Sequence, residues 1–597
     1  MQPDSVLPTD VEASRRRFLQ LAGATGAAGI AGCFGGDDDG NPTREKITGD
    51  EPMTDRTFTA PTSVLPDDMQ WNAANDSNYP DRPGFVVFDQ LVYFRATTGE
   101  FVEGALADWE VGDDTATLTL QDGLTWHNGD DATAEDLVRK LHISLYDNHP
   151  IGNFTSVENV TAAGDKTVEV GLEADVSEPI FLNSIQNMEL DMPGEQYDDI
   201  LAEMESDSES TALADYAPEE PIGTGPFKFD QTGEQELVTT KFEDYHWADN
   251  VNFAEYRFRF IDGNETAWQA IRGGTVDALH NIFTTPDIMA SFPNHVVEMQ
   301  QPANWGLSIA FDHEHKHFGQ REVRKAIAHA IDREIVAENS AGGGDAKSPV
   351  ETPTGIVGNF DDSANDWLDS PDAFEDYSGQ DTDRAAELLE SAGFTKESGT
   401  WVDEDGDTLT FEFKVPAGWN EWVDAAITLN QHLQDFGIET NLITRDGGVY
   451  FGQDLYGDTG FDAAGFWWSD GWTYPYHTLN WNLNSWDAQN VYNYPESVDV
   501  PPKGQPDAET ETVELAPEIE ELVGMDPQGD AARQKIQELA WVFNYDLPQL
   551  PIQEKVDQGF ISTKNFKVVE DSDPDASVKY ATTYLPRVGK LVAKAEE

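Results

Sequence analysis

Ala105-Leu106-Ala107-Asp108-Trp109-Glu110-Val111 leads through Ala116–Leu120 into Gln121-Asp122-Gly123-Leu124-Thr125-Trp126-His127-Asn128-Gly129, then Thr133-Ala134-Glu135-Asp136-Leu137. Ala116–Leu120 alternates Thr and Leu, which is a strand pattern. Gly123 and Gly129 read as turn residues needing a backbone that other residues rarely adopt, and Trp109 and Trp126 as packing residues. Thr133, with Glu135 two residues on, opens an apolar stripe that predicts a helix to Leu145. Outward from this block the pattern stays mixed. Strands are predicted over Phe85–Phe94, Leu237–Phe242 and Phe253–Ile261, and over Thr408–Val415, where Leu409, Phe411, Phe413 and Val415 share a face. Helices are predicted over Glu322–Glu338, Thr382–Ala392 (closed by Gly393), Trp422–Phe436 and Ala531–Phe543. Pro495–Glu518, rich in Pro, Asp and Glu, reads as a surface loop. The alternation is of βαβ type without internal repeats, so the fold class is α/β.

The charge excludes whole classes of partner. The 597 residues carry 113 acidic and 36 basic side chains, a net charge of −77. Such a surface repels phosphate backbones and anionic headgroups, so no nucleic-acid partner and no charge-driven membrane adsorption are expected. In dilute buffer the carboxylates repel one another, but at ~1 M salt the screening length falls to about 3 Å. The composition therefore predicts a halophilic protein. Apolar content of 39% with 16 Trp is ample for packed cores.

The N-terminus reads as an export label. Ser14-Arg15-Arg16-Arg17-Phe18-Leu19 precedes a mostly apolar run to Ala31, too short to span a bilayer and similar to a twin-arginine (Tat) signal. Cys33, the one cysteine, follows Ile30-Ala31-Gly32 and resembles a lipoprotein attachment site, so a lipid anchor at Cys33 is expected. Residues 1–32 are thus a signal peptide and 33–56 an acidic flexible tether.

The opening block is joined by Ile222-Gly223-Thr224-Gly225-Pro226-Phe227-Lys228, Asp244-Tyr245-His246-Trp247 and Gly273-Gly274-Thr275-Val276-Asp277. Further on come Val323-Arg324-Lys325-Ala326-Ile327-Ala328-His329-Ala330-Ile331-Asp332-Arg333 and Leu547-Pro548-Gln549-Leu550-Pro551-Ile552. In this order the motifs resemble the extracytoplasmic solute-binding proteins of ABC importers, family 5, the dipeptide/oligopeptide-binding type, over essentially all of 57–597. The resemblance implies a bilobal periplasmic-binding-protein-like clamshell of class II. Lobe I would comprise 57–92, 218–305 and 541–597, with a small domain inserted at 93–217, and lobe II would comprise 306–540. It also implies ligand capture between the lobes, importer permease subunits as partners, an extracytoplasmic location and a monomer.

The ligand stays open between peptide and oligosaccharide. Where peptide-binding members place an Asp four residues before a Pro, this chain has Gly471 before Pro475, with Asp470 one position off. Against that, Trp-rich loops suit sugar faces, since flat indoles pack on C–H surfaces. Trp71, Trp305, Trp419, Trp422, Trp468 and Trp472, with Asp470, are the ligand-binding candidates. His313-Glu314-His315-Lys316-His317 could hold metal only as a strand with its imidazoles on one face, and it reads better as a polar loop, so no metal or other cofactor is expected. Enzyme motifs are weak. Ala341–Ser348 lacks both glycines of a phosphate loop, and Gly-x-Ser-x-Gly does not occur. Carboxylate pairs arise by chance among 113 acids, which leaves a secreted glycan hydrolase as a distant alternative and catalytic residues unassigned.

Overall fold

The computed structural model describes residues 53–595 except 76–77, 148, 174–175, 208–209, 343, 345, 360–362, 370, 458 and 470–473. The signal peptide, Cys33, the tether as far as residue 52, Asp470 and Trp472 lie outside the described residues, and residues 53–56, expected as the end of the tether, open a strand instead. Among those described, no helix is long and apolar enough to cross a membrane. Among the described residues two compact units emerge: 302–522 with 526–556, and 53–301 with 523–525 and 557–595.

The first unit is built on a five-stranded sheet. Its strands are β1 (Leu307–Phe311), β2 (Thr410–Pro416), β3 (Glu439–Arg445), β4 (Ala463–Trp467) and β5 (Gln549–Pro551), in the order β3-β2-β4-β1-β5. β2 runs parallel to β3 and β4, while β1 is antiparallel to β4 and β5. The alternation read in β2 buries Leu409, Phe411, Phe413 and Val415 together in the core. Helices α1 (Arg321–His329), α2 (Arg333–Ser340), α3 (Thr382–Ser391) and α4 (Asn420–Phe436) share the sheet's core, and α5 (Asp530–Asp546) packs on the helix Pro475–Asn484 and leads into β5. The single helix expected over 322–338 is two, because the Asp332 carboxylate accepts from the Ile335 N–H at 3.0 Å and starts a new helix.

The basic residues of this segment are anchors. Arg324, 2% exposed, donates to the Phe318 and Leu547 carbonyls and to Asp546, and Arg333, fully buried, donates to the Ala328 and Tyr377 carbonyls. The Arg324 bonds, and a further one from Arg333 Nε to the Pro551 carbonyl at 3.4 Å, tie α1 and α2 to the chain around β5. Accordingly β5 and the chain as far as Val556 belong to this unit, whereas the sequence reading ended it at 540. The expected loop 495–518 contains a hairpin, Ser497–Val500 with Glu511–Glu514, because Val498 and Val500 bury between acidic neighbours.

In the second unit, Met53–Thr62 pairs parallel with Phe253–Phe260, and Glu236–Lys241 and Phe227–Thr232 complete an antiparallel flank. A separate sheet, Leu106–Val111, Thr115–Leu120, Thr167–Gly171 and Val160–Ala162, carries the helix Ala134–Tyr146. That helix opens at Thr133, but its capping carboxylate is Asp136, which accepts from the Thr133 N–H at 2.8 Å and the Trp126 indole at 3.4 Å. The predicted strand Phe85–Phe94 is a helix, Asp81–Val87, followed by a strand, Val92–Arg95. Pro83 sits in the first turn, where its missing N–H costs little.

Two motifs far apart in sequence meet at His127. Its main-chain N–H donates to the Gly223 carbonyl at 2.8 Å, its Nδ1 accepts from the Gly223 N–H at 3.3 Å, and its Nε2 faces the Gly225 carbonyl at 3.0 Å. Burial pulls this imidazole down to about 4, so it is neutral and can accept at one nitrogen while donating at the other. A Cβ on Gly223 would lie 2.8 Å from the Val87 carbonyl carbon, and one on Gly225 would lie 2.6 Å from the Val86 oxygen. These glycines are required by contact: the backbone runs against backbone.

Candidate functional site

β2, β3 and β4 run the same way, so their carboxyl ends open on one edge of the first unit's sheet, together with the start of β1 and the end of β5. In open α/β sheets this is the edge outside which ligands lie. β2 is followed by Ala417-Gly418-Trp419, and β3 by a turn that carries Phe451. β4 ends on Trp467, whose register partner is Leu307. Trp305 stands two residues before that partner, and Lys555 follows β5.

Aromatic rings line this edge. Phe451 lies 5.5 Å from Trp419 and 6.3 Å from Trp467 between centroids, with all three half-buried. Trp305, also half-buried, carries the Lys555 ammonium 4.0 Å above its ring, and its carbonyl accepts from the Lys555 N–H at 3.1 Å. The edge therefore offers apolar faces, one of them with a cation held over it, set in a strongly acidic chain.

Only some of the sequence candidates reach it. Trp305 and Trp419 do. Trp71, 1% exposed, packs edge-on against Phe88 and Phe229 in the second unit's core. Trp422, 1% exposed, lies beneath Trp419 in the first unit's core, 4.6 Å away and perpendicular. Trp468, fully buried, donates its indole N–H to the Gln553 carbonyl at 3.3 Å and packs with Val350 and Val357. These three are core residues, each 1% exposed or less and packed against apolar neighbours. The sequence reading missed Trp467 and Phe451. Period two would have found Trp467, since adjacent strand residues point to opposite faces, but nothing periodic marks Phe451.

Other clusters are held by partners within the chain. Residues 313–317 form a turn, with His313 Nε2 on the Pro548 carbonyl at 2.7 Å. Burial, with the Arg324 charge nearby, lowers His313 to about 3. The carboxylates of Asp403, Asp405 and Asp407 converge, and the Lys316 ammonium lies 2.7, 3.5 and 2.6 Å from them, so the chain supplies its own cation there. A polar groove of about 430 Å³ includes Arg321, Arg324 and Asp546, but both guanidiniums are bonded to that carboxylate. In the second unit a cavity of about 40 Å³ beside His280 and Thr582 has room for about one water molecule.

The profile of the bacterial extracellular solute-binding proteins, family 5 Middle, matches residues 100–490. The chain belongs to this family. Among curated relatives, the oligopeptide-binding protein AppA of Bacillus subtilis is 23% identical over 328 residues, 54% of this chain and 56% of its own length. The di/tripeptide-binding protein 1 of Pseudomonas aeruginosa is 23% identical over 397 residues, 62% of this chain and 68% of its own. The chain thus spans somewhat more than half the length of such relatives. Solved structures share the fold across nearly the whole chain. AppA of Bacillus subtilis with a nonapeptide has TM-score 0.68 at 15% identity, covering 91% of this chain and 100% of that one. A periplasmic oligopeptide-binding protein of Thermotoga maritima with mannohexaose has TM-score 0.72 at 17% identity, covering 91% and 99%. The mixed α/β bilobal binding-protein class expected from the sequence is therefore the class found.

Proposed function

We propose that this member of the family is an extracytoplasmic receptor that captures a small organic solute and delivers it, chemically unchanged, to an ABC importer. The observation that carries the reading is the half-buried row Trp419–Phe451–Trp467 at the carboxyl ends of parallel strands. Membership and the named relatives favour a peptide-type solute. The aromatic row favours a second reading, an oligosaccharide whose C–H faces lie on the rings, and the mannohexaose in the Thermotoga structure is in keeping with it.

Thermal unfolding in molar KCl with short peptides and with oligosaccharides tests both. A ligand at 100 times its dissociation constant adds about 2.7 kcal/mol of stability. A shift with one class selects it, and no shift with either rejects the receptor reading at this edge. Recovery of the bound compound intact separates a receptor from a glycan hydrolase.

Three properties complete the proposal. The net charge of −77 supports a halophilic protein whose melting temperature rises between dilute and molar salt, and an unchanged temperature rejects that. Cys33 behind a twin-arginine-type signal supports a lipid anchor, so Cys33→Ser should release the protein from membranes. The working form is a monomer, checked by sedimentation.

A further inference from the structure

Between β3 and β4 the chain makes a turn, Gly447–Val449, that passes into a π-helical turn, Tyr450–Leu455. Such turns are rare and cluster at functional sites. This one is pinned to three strands. Asp454, a residue of the turn and 1% exposed, makes two of the ties: one carboxylate oxygen accepts from Lys414 Nζ at 2.8 Å, the other from Arg445 Nε at 3.1 Å. Lys414 belongs to β2, is 3% exposed, and also donates to the Gly460 carbonyl at 2.7 Å. Arg445 ends β3 with about a third of its side chain exposed. The Tyr450 hydroxyl donates to the Gly465 carbonyl of β4. Gly457 folds back on the turn so closely that a Cβ there would lie 2.8 Å from Gln453 Cα.

We propose that Asp454, Lys414 and Arg445 form a positioning clamp for ligand recognition. They do not touch the solute. They hold the π-turn against β2 and β3, so that Phe451 links Trp419 to Trp467 and three rings make one surface. Stability alone gives little reason for such a group, because apolar replacements of buried ion pairs are often neutral or stabilising. What the directional bonds of one carboxylate to two strands add is a fixed place for the turn, and the row of rings depends on that place.

The proposal rests on the aromatic edge being the ligand site, and its test separates the two ideas. The full chain is labelled with 5-fluorotryptophan, and the ¹⁹F resonances of Trp419 and Trp467 are assigned through their Phe variants. Arg445→Gln and Asp454→Asn should move both resonances in ligand-free protein. They should also weaken the binding of mannohexaose or a nonapeptide, whichever the wild type takes, by about three- to thirtyfold. Phe451→Ala should weaken it similarly, Arg445→Gln added to Phe451→Ala should cost nothing more, and Arg445→Lys should restore most of the affinity. If Asp454→Asn does not fold, Arg445→Gln carries the test, since its side chain is partly exposed. Unmoved resonances in folded Arg445→Gln, or additive losses in the double variant, overturn the clamp. Binding that survives Trp419→Ala and Phe451→Ala unchanged overturns the ligand-site reading, and the clamp's role in recognition falls with it, even where the resonances show that it orders the rings.

Discussion

The His127–Gly223 junction of the second unit and the aromatic edge of the first are both made of residues with marked sequence patterns, yet they differ in free space. At the junction both imidazole nitrogens and the main-chain N–H of His127 are committed, and the glycine backbones touch neighbouring carbonyls. At the edge, Trp419, Phe451 and Trp467 keep part of their faces uncovered. A filled contact supports the fold, while a half-open apolar one has surface left for something else to cover. That contrast separates fold-bearing residues from recognition residues without reference to how characteristic either motif is.

The sharpest way to break the contrast is to truncate two tryptophans that touch. Trp422 and Trp419 stand 4.6 Å apart, one buried and one half-exposed. Trp422→Ala should cost about 3–5 kcal/mol in chemical unfolding, the range for deleting a core aromatic. A loss under about 1 kcal/mol would place Trp422 outside the core. At the junction, Gly223→Ala should cost about 3 kcal/mol, because its Cβ meets main chain that cannot rotate away. A variant as stable as the wild type would show that the junction is not closed.

A third region tests whether buried charge behaves as filled space does. Burial raises the Glu375 carboxyl, but the His329 hydrogen bond at 3.0 Å and the Lys325 ammonium outweigh it and hold the group at about 2. A depressed folded-state pKa stabilises above the unfolded value, near 4.5, and the benefit disappears as pH falls toward 2. Wild type should lose up to about 2–3 kcal/mol over that interval relative to Glu375→Gln. Parallel pH profiles for the two proteins would show that the pair contributes nothing.

How much of this was legible in the sequence follows from periodicity. The core face of β2 and the helices α3 and α4 carry strong repeats, and the structure keeps them. Phe85–Val87 is an apolar run too short to have a period, and Pro83 with its neighbours placed it in a helix instead. Trp467 and Trp468 show the limit within the site. They are consecutive, so one emerges at the edge while the other packs on Val350 and Val357. Composition flagged the loop, but only the strand's register says which indole is open. Phe451 depends on a π-turn pinned by Asp454, Lys414 and Arg445, three residues spread over two strands and a loop, and no local pattern announces that.

The smallest expected change in stability belongs to the residue with the largest expected role in binding. Trp419→Ala removes a ring that is half in water and rests on Trp422 and Phe451, so unfolding should shift by about 1–2 kcal/mol. Affinity for whichever solute class stabilises the wild type should fall about tenfold or more, because a partly covered aromatic at the centre of a contact carries a large share of its energy. Trp422→Ala measured beside it, under conditions where both variants remain folded, gives the control. There the stability loss is larger and the affinity loss smaller, since the buried ring only supports the exposed one. If the two variants lose stability and affinity in the same proportion, the edge is an extension of the core and the contrast with the His127–Gly223 junction fails.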